Sequence, residues 1–220
     1  MNKNPIYCAI DTSSIDNALK LIDEISPHIG GVKLGLEFFT SCGIEGVEKV
    51  AKCKLPLFLD LKLYDIPNTV RKSLKNILSL EPTYTTLHVS GGSDMIRECV
   101  NLKKQLNSFT KLIGVTMLTS FEDNSMNEVG ISGSVSENVK KLSHLALDTG
   151  MDGIVCSPME IKDVKDMFGS KLEVVVPGIR NQTDINDDQK RTLSAKKAIE
   201  FGADVIVVGR PITSADSPRD

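Results

Sequence analysis

Residues 55–78, LPLFLDLKLYDIPNTVRKSLKNIL, hold one complete unit of this chain's organisation. The stretch opens on an apolar run, 55–61, of the kind a strand buried on both faces requires. It closes on NTVRKSLKNIL, where apolar residues recur at the spacing of one helix face. Between the two, where the chain should be leaving the core, stand Asp60, Lys62 and Asp65. Asp60 and Lys62 are two residues apart, so in a strand they share a face, while Leu59, Leu61 and Leu63 take the other. The leucine face must pack under helices, which directs the Asp–Lys pair inward at the strand's exit.

The same unit recurs along the chain. Apolar runs at 6–10 (IYCAI), 31–36 (GVKLGL), 84–89 (YTTLHV), 112–118 (LIGVTML), 153–157 (GIVCS), 173–178 (EVVVPG) and 205–209 (VIVVG) bring the total to eight. Helical patterns separate them, among them SIDNALKLIDEI, DMIRECVNLKKQL, SENVKKLSHLALDTG and AKKAIEFG. Ser14, Asn68 and Ser136 stand where N-caps belong, and Gly150 and Gly202 where helices end. Strict alternation with near-continuous apolar strands means a parallel sheet covered by helices. Eight units favour a closed barrel over an open doubly wound sheet. The first strand also lacks a G-x-G-x-x-G turn, since Asp11 is followed by Thr12, Ser13 and Ser14. The expectation is a single-domain (β/α)8 TIM barrel of class α/β over residues 1–220. Its eighth helix is short or missing, because only eleven residues follow Gly209.

Bulk properties narrow the function. The net charge of −3 lacks the basic footprint that nucleic acid or an anionic membrane demands. The apolar runs are strand-sized, and MNKNPIYCAID has no secretory h-region, so a cytoplasmic protein is expected. Five cysteines with no C-x-x-C pair fit reduced, mostly buried thiols. His28, His88 and His144 show no ligand spacing, and no metal is expected. His88 and Glu37 could each lie at the strands' exits, but His88 is read first as a packing or backbone-bonding residue and Glu37 as a helix-capping one, and Cys156 is a thiol without a base partner.

Barrel chemistry sits at the C-terminal ends of the strands. There the chain places Asp11, Lys33, Asp60 and Lys62, with Thr119 and Ser120 after strand five. Converging lysines and carboxylates are tolerated in a core only when paired, and they mark function more often than stability. VPGIR (176–180) and VVGRPI (207–212) each end a strand with glycine and then arginine, after strands seven and eight. Those loops frequently hold a phosphate in such barrels, with glycine admitting the anion to the backbone and Arg180 or Arg210 gripping it. The polar stretch 179–191, IRNQTDINDDQKR, is longer than a usual strand–helix loop and is a candidate lid.

The run DLKLYDIPNT at 60–69 resembles the signature of the orotidine 5′-phosphate decarboxylase family. The resemblance continues through AID (9–11), VKLG (32–35), MLTS (117–120), DGIVCS (152–157), PGIR (177–180), DDQ (187–189) and VVGRPIT (207–213). It implies a cofactor-free enzyme that converts orotidine monophosphate to UMP in pyrimidine biosynthesis, built as a homodimeric barrel with shared active sites. It implies Lys62 as proton donor, in a charged array with Asp60, Asp65 and Lys33. Asp65, Ile66 and Thr69 would serve the neighbouring subunit's site. Asp11 and Lys33 would hold the ribose, Thr119 or Ser120 the pyrimidine, and Arg180, Gln189, Gly209 and Arg210 the phosphate.

Three other functions share parts of this pattern. The hexulose-phosphate synthase and ketogulonate-phosphate decarboxylase group shares D-x-K-x-x-D but needs Mg2+, and resemblance suggests a carboxylate where this chain has Lys33. A catalytically retired barrel would be expected to have lost a member of the charged set. A Schiff-base aldolase needs a neutral lysine, whereas flanking carboxylates hold an ammonium.

Overall fold

Alternate strand residues face opposite ways, and this divides the protein's apolar interior into an inner and an outer layer. In the computed structural model, which describes residues 4–180 and 192–219, eight parallel strands close into a barrel in sequence order. The strands are β1 (Ile6–Ala9), β2 (Gly31–Leu34), β3 (Leu57–Leu63), β4 (Tyr84–His88), β5 (Lys111–Val115), β6 (Gly153–Val155), β7 (Glu173–Val176) and β8 (Val205–Val208). Inward residues Tyr7, Ala9, Phe58, Tyr84, Ile113, Val175, Val205 and Val207 fill the barrel. Three of them, Tyr7, Phe58 and Tyr84, meet edge-on with ring centroids 5.6 to 6.5 Å apart. Outward residues such as Cys8, Ile10, Val32, Leu34 and Leu59 pack beneath the helices.

The helices are α1 (Ile15–Ile25), α2 (Leu36–Ala51), α3 (Pro67–Leu78), α4 (Gly92–Gln105), α5 (Asp123–Met126), α6 (Val135–Asp148), α7 (Ile161–Phe168), α8 (Ala195–Glu200) and α9 (Arg210–Thr213). Ser14 caps α1 as expected, its hydroxyl accepting from the Asn17 N–H. Two expected caps are displaced. The α3 cap is Ile66 and not Asn68, because Pro67 suits the first helical position and keeps its predecessor extended. The α6 cap is Ser134 and not Ser136, because Ser134 and Glu137 form a reciprocal capping box. Gly150 and Gly202 do follow α6 and α8, both with positive φ, at 84° and 102°. The helix after β8, α9, is four residues long. Among the described residues no helix is long and apolar enough to cross a membrane.

Several apolar runs outlast their strands. The 112–118 and 173–178 runs stop being strand at Val115 and Val176, and Met117, Leu118 and Pro177 line the barrel mouth instead. On the opposite rim, Asp152 and Asp204 each accept the first free N–H of a neighbouring strand, from Leu112 and Val174, at 2.7 Å. Each carboxylate is neutralised from a helix, Asp152 by Lys103 and Asp204 by Lys165.

One strand is irregular, and the irregularity sits under the charges. β3 pairs with β4 at Leu59↔Thr85 and next at Leu63↔Leu87, so the register shifts between them. Lys62 lies in this bulge with φ of 48°. A side-chain-bearing residue in that region costs about 1–2 kcal/mol, which the surroundings must offset. The leucines still face the helices as expected, since Leu59 is core and Leu61 and Leu63 pack against it. Asp60 and Lys62 share the opposite, cavity-lining face, as the two-residue period predicts, and the register shift with its left-handed Lys62 is an addition to that pattern.

Candidate active site

The C-terminal ends of the strands enclose a cavity of about 570 Å³. Ala9, Phe58, Val115, Val155, Val175 and Val207 form its apolar part, the last inward layer of the barrel. Charges enter from β1 to β3. Lys33, buried on β2, reaches Asp11 just past β1 at 3.3 Å. Asp60, buried on β3, receives the Lys62 ammonium on Oδ2 at 2.6 Å. Its other oxygen accepts the Thr86 hydroxyl at 2.8 Å. Two cations and two carboxylates therefore meet in a partly water-excluded mouth, balanced in sign.

Gly35 makes this packing possible. A Cβ there would lie 2.7 Å from Lys33 Nζ and 3.5 Å from Asp11 Oδ1. The loops after the neighbouring strands β7 and β8 bring Gly178, Arg180, Gly209 and Arg210 to the same cavity. Gly178 has φ of 78°, a conformation that favours glycine, so its turn role and its place at the cavity coincide. Arg180 is buried and anchored through a 2.8 Å bond to the Ile179 carbonyl.

Thr119 lines the cavity, whereas its neighbour Ser120 is exposed and does not. Asp65, Ile66 and Thr69 also stand outside this cavity. All three are exposed, and the Asp65 carboxylate accepts the Ile66 N–H at 2.6 Å. Residues 181–191, with Gln189 and most of the candidate lid, lie outside the described residues.

One lining residue was weighed for the mouth but read for another role, and two more were not singled out from the sequence. Glu37, expected to cap a helix, lines the cavity from the first turn of α2, whose cap position Gly35 has no side-chain bond. Thr213 and Ser214 line it from the end of α9 and just beyond. Glu37 follows directly on β2's exit, and that position was the available signal. His88 does not line the cavity; its ring packs 5.6 Å from Tyr64. Burial, and then the Lys62 ammonium, push the His88 imidazole below its usual value. Cys156 is fully buried in the outer core. Cys8, also fully buried, has its thiol pushed up to about 12, chiefly by burial. Among the described residues no three His, Cys, Asp or Glu side chains gather to hold a metal ion.

A (β/α)8 barrel with paired charges at the C-terminal ends of its strands and two glycine–arginine loops beside them has the architecture of an enzyme, with a cavity whose lining suits a small anionic ligand. The model of the orotidine 5′-phosphate decarboxylase / HUMPS family matches residues 4–220, and the chain belongs to that family. It is 47% identical over 215 residues to the orotidine 5′-phosphate decarboxylase of Ehrlichia canis, covering 98% of this chain and 93% of that one. The crystal structure of orotidine 5′-phosphate decarboxylase from Lactobacillus acidophilus superposes with a TM-score of 0.84 at 36% identity, covering 98% of this chain and 94% of the other. The Methanocaldococcus jannaschii enzyme, complexed with inhibitor BMP, shares the fold at a TM-score of 0.79 and 23% identity, over 99% and 94% of the two chains.

Proposed function

We propose that this protein is a carboxy-lyase that converts orotidine 5′-phosphate to UMP and CO2 in pyrimidine biosynthesis, with Lys62 protonating C6. The observation that carries the reading is the Lys33–Asp11 and Asp60–Lys62 charge set in one cavity with two glycine–arginine loops, in a chain of this family.

The chemistry suits these groups. Breaking the bond between C6 and the carboxylate leaves an electron pair in the plane of the pyrimidine, where ring conjugation gives little help. Fixed charge must then do the stabilising. An ammonium about 4 Å from the developing charge is worth roughly 4 kcal/mol at an effective dielectric of 20, near a thousandfold in rate. The same separation in bulk water is worth about 1 kcal/mol, so the buried mouth matters as much as the lysine. Asp60 holds the Lys62 ammonium toward the cavity, and C6 takes its proton once CO2 departs. No cofactor is required. Asp60 beside the substrate carboxylate also raises the energy of the bound ground state.

Asp11 and Lys33 hold the ribose hydroxyls, and Thr119, the cavity-lining member of its pair with Ser120, meets the pyrimidine. Arg180, Arg210 and Gly209 take the phosphate, with Gln189 as a fourth contact. Contacts to that non-reacting group supply binding energy that organises the reacting end. The exposed segment with Asp65, Ile66 and Thr69 serves the site of a second copy in a homodimer, which fits its place outside its own cavity. The chain acts as one domain over 1–220, in the cytoplasm, on a small nucleotide and on neither nucleic acid nor membrane.

The family also includes Mg2+-dependent sugar-phosphate chemistry, and Lys33 at the cavity disfavours a cation there. Purified protein, orotidine monophosphate and excess EDTA, followed by ultraviolet absorbance, separate the two. Turnover that survives EDTA is expected. Metal-dependent turnover, or none in folded protein, refutes the proposal.

A further inference from the structure

The bulge in β3 leaves one β4 residue, Thr86, facing three residues of β3. The pairs Leu59↔Thr85 and Leu63↔Leu87 bracket Asp60, Leu61 and Lys62 on one side and Thr86 alone on the other. Backbone partners are lost in such a bulge, and in this one two threonine hydroxyls replace them. The Thr85 hydroxyl donates to the Leu59 carbonyl at 3.0 Å. The Thr86 hydroxyl accepts the Lys62 N–H at 2.8 Å and donates its own proton to Asp60 Oδ1 at 2.8 Å. Asp60 Oδ2 in turn receives the Lys62 ammonium at 2.6 Å.

These bonds close a ring. One hydroxyl is tied to the main chain of Lys62 and to the carboxylate that holds the same lysine's ammonium. Thr86 is fully buried and does not line the cavity, so it touches neither substrate nor reacting atoms. A hydroxyl can accept and donate at once, which no apolar residue of that size can do. Its buried donor and acceptor partners would both lose a bond if it were removed.

We infer that Thr86 is a positioning residue for decarboxylation: its hydroxyl holds the left-handed backbone of Lys62 and the Asp60 carboxylate in one register, and so aims the ammonium. The inference rests on the decarboxylase reading for its activity arm, and a second arm does not depend on that reading.

Four chains decide it: wild type, Thr86→Val, Thr86→Ala and Thr86→Ser. The Val change keeps the volume, and the Ala and Ser chains differ from each other only by the hydroxyl. With orotidine monophosphate, Val and Ala are expected to lower kcat about 10- to 100-fold with KM changed less than about threefold, and Ser to recover most of the loss. Hydrogen exchange at the Lys62 amide supplies the independent readout. It should be slow in wild type and Ser, and at least about tenfold faster in Val and Ala. If Val does not fold, the Ala and Ser chains carry the comparison. The inference is overturned if kcat stays within about threefold in Val and Ala, if Ser and Ala fall alike, if only KM moves, or if Lys62 amide exchange is unchanged. A folded wild type that exchanges as expected but does not turn over the substrate refutes the decarboxylase reading and leaves the exchange arm to decide the role of Thr86.

Discussion

Replacing Gly35 with alanine should separate activity from stability. Gly35 has φ of −100° and ψ of −167°, extended backbone that alanine adopts without strain. The added Cβ would lie 2.7 Å from Lys33 Nζ, whereas ordinary contact begins at 3.4 Å, so the ammonium must retreat by the 0.7 Å difference. Nζ ends a flexible side chain, and the fold can absorb the shift. At the helix cap, alanine is less favourable than glycine by roughly 0.5 kcal/mol, and the stiffer unfolded chain returns about 0.4–1 kcal/mol. The net change stays within about 1 kcal/mol, or about 2–4 °C in Tm for a domain of this size. Catalysis is less forgiving, because misplacing a group that positions the substrate by about 1 Å costs on the order of 100-fold. Steady-state decarboxylation and a thermal melt on one sample should give kcat/KM down about 30- to 100-fold with Tm nearly unchanged. In a chain already carrying Lys33→Ala, Gly35→Ala should cost almost nothing further. A kcat/KM within about threefold of wild type, or an undiminished loss when Lys33 is absent, would refute the reasoning.

Two further outcomes are expected. Mixed Lys62→Ala and Asp65→Ala chains, each inactive alone, should regain partial activity, since a hybrid dimer holds one site with both residues intact; no recovery despite proven subunit exchange argues against a shared site. Tyr7 is buried, and burial first and the Glu173 carboxylate second push its phenol up to about 12. A folded-state value above the unfolded one of about 10 contributes stability below that pH, which is lost as pH rises through the folded value. The Tyr7 hydroxyl has no hydrogen-bond partner among the described residues. Tyr7→Phe should therefore leave the neutral-pH stability equal or higher, by up to about 1 kcal/mol, and make the alkaline loss of stability shallower. A lower neutral Tm or an unchanged alkaline limb would count against this account of Tyr7.

All eight strands were legible in the sequence because each is a short apolar run bounded by polar residues, a signal local enough to survive without tertiary context. Caps were less legible. Asn68 and Ser136 are ordinary cap residues, but Pro67 and the Ser134–Glu137 box outrank them. The β3 bulge was not legible at all. LDLKL (59–63) alternates without a break, no glycine marks the left-handed position, and the hydroxyls that satisfy it come from Thr85 and Thr86 on the next strand. Asp11, Lys33, Asp60 and Lys62 could be placed at the mouth because charge at a barrel strand's exit is conspicuous. Thr213 and Ser214 could not, since nothing in the residues after Gly209 says that the end of a four-residue helix turns toward the cavity.

The central claim is that the Lys62 ammonium stabilises the developing charge and protonates C6. Lys62→Ala tests it most directly, with product binding measured beside turnover. The account predicts UMP affinity within about threefold of wild type and kcat lower by at least about a thousandfold, the loss expected for one ammonium near the reacting carbon. A Lys62→Ala chain that binds UMP normally and keeps kcat within about tenfold of wild type would contradict it.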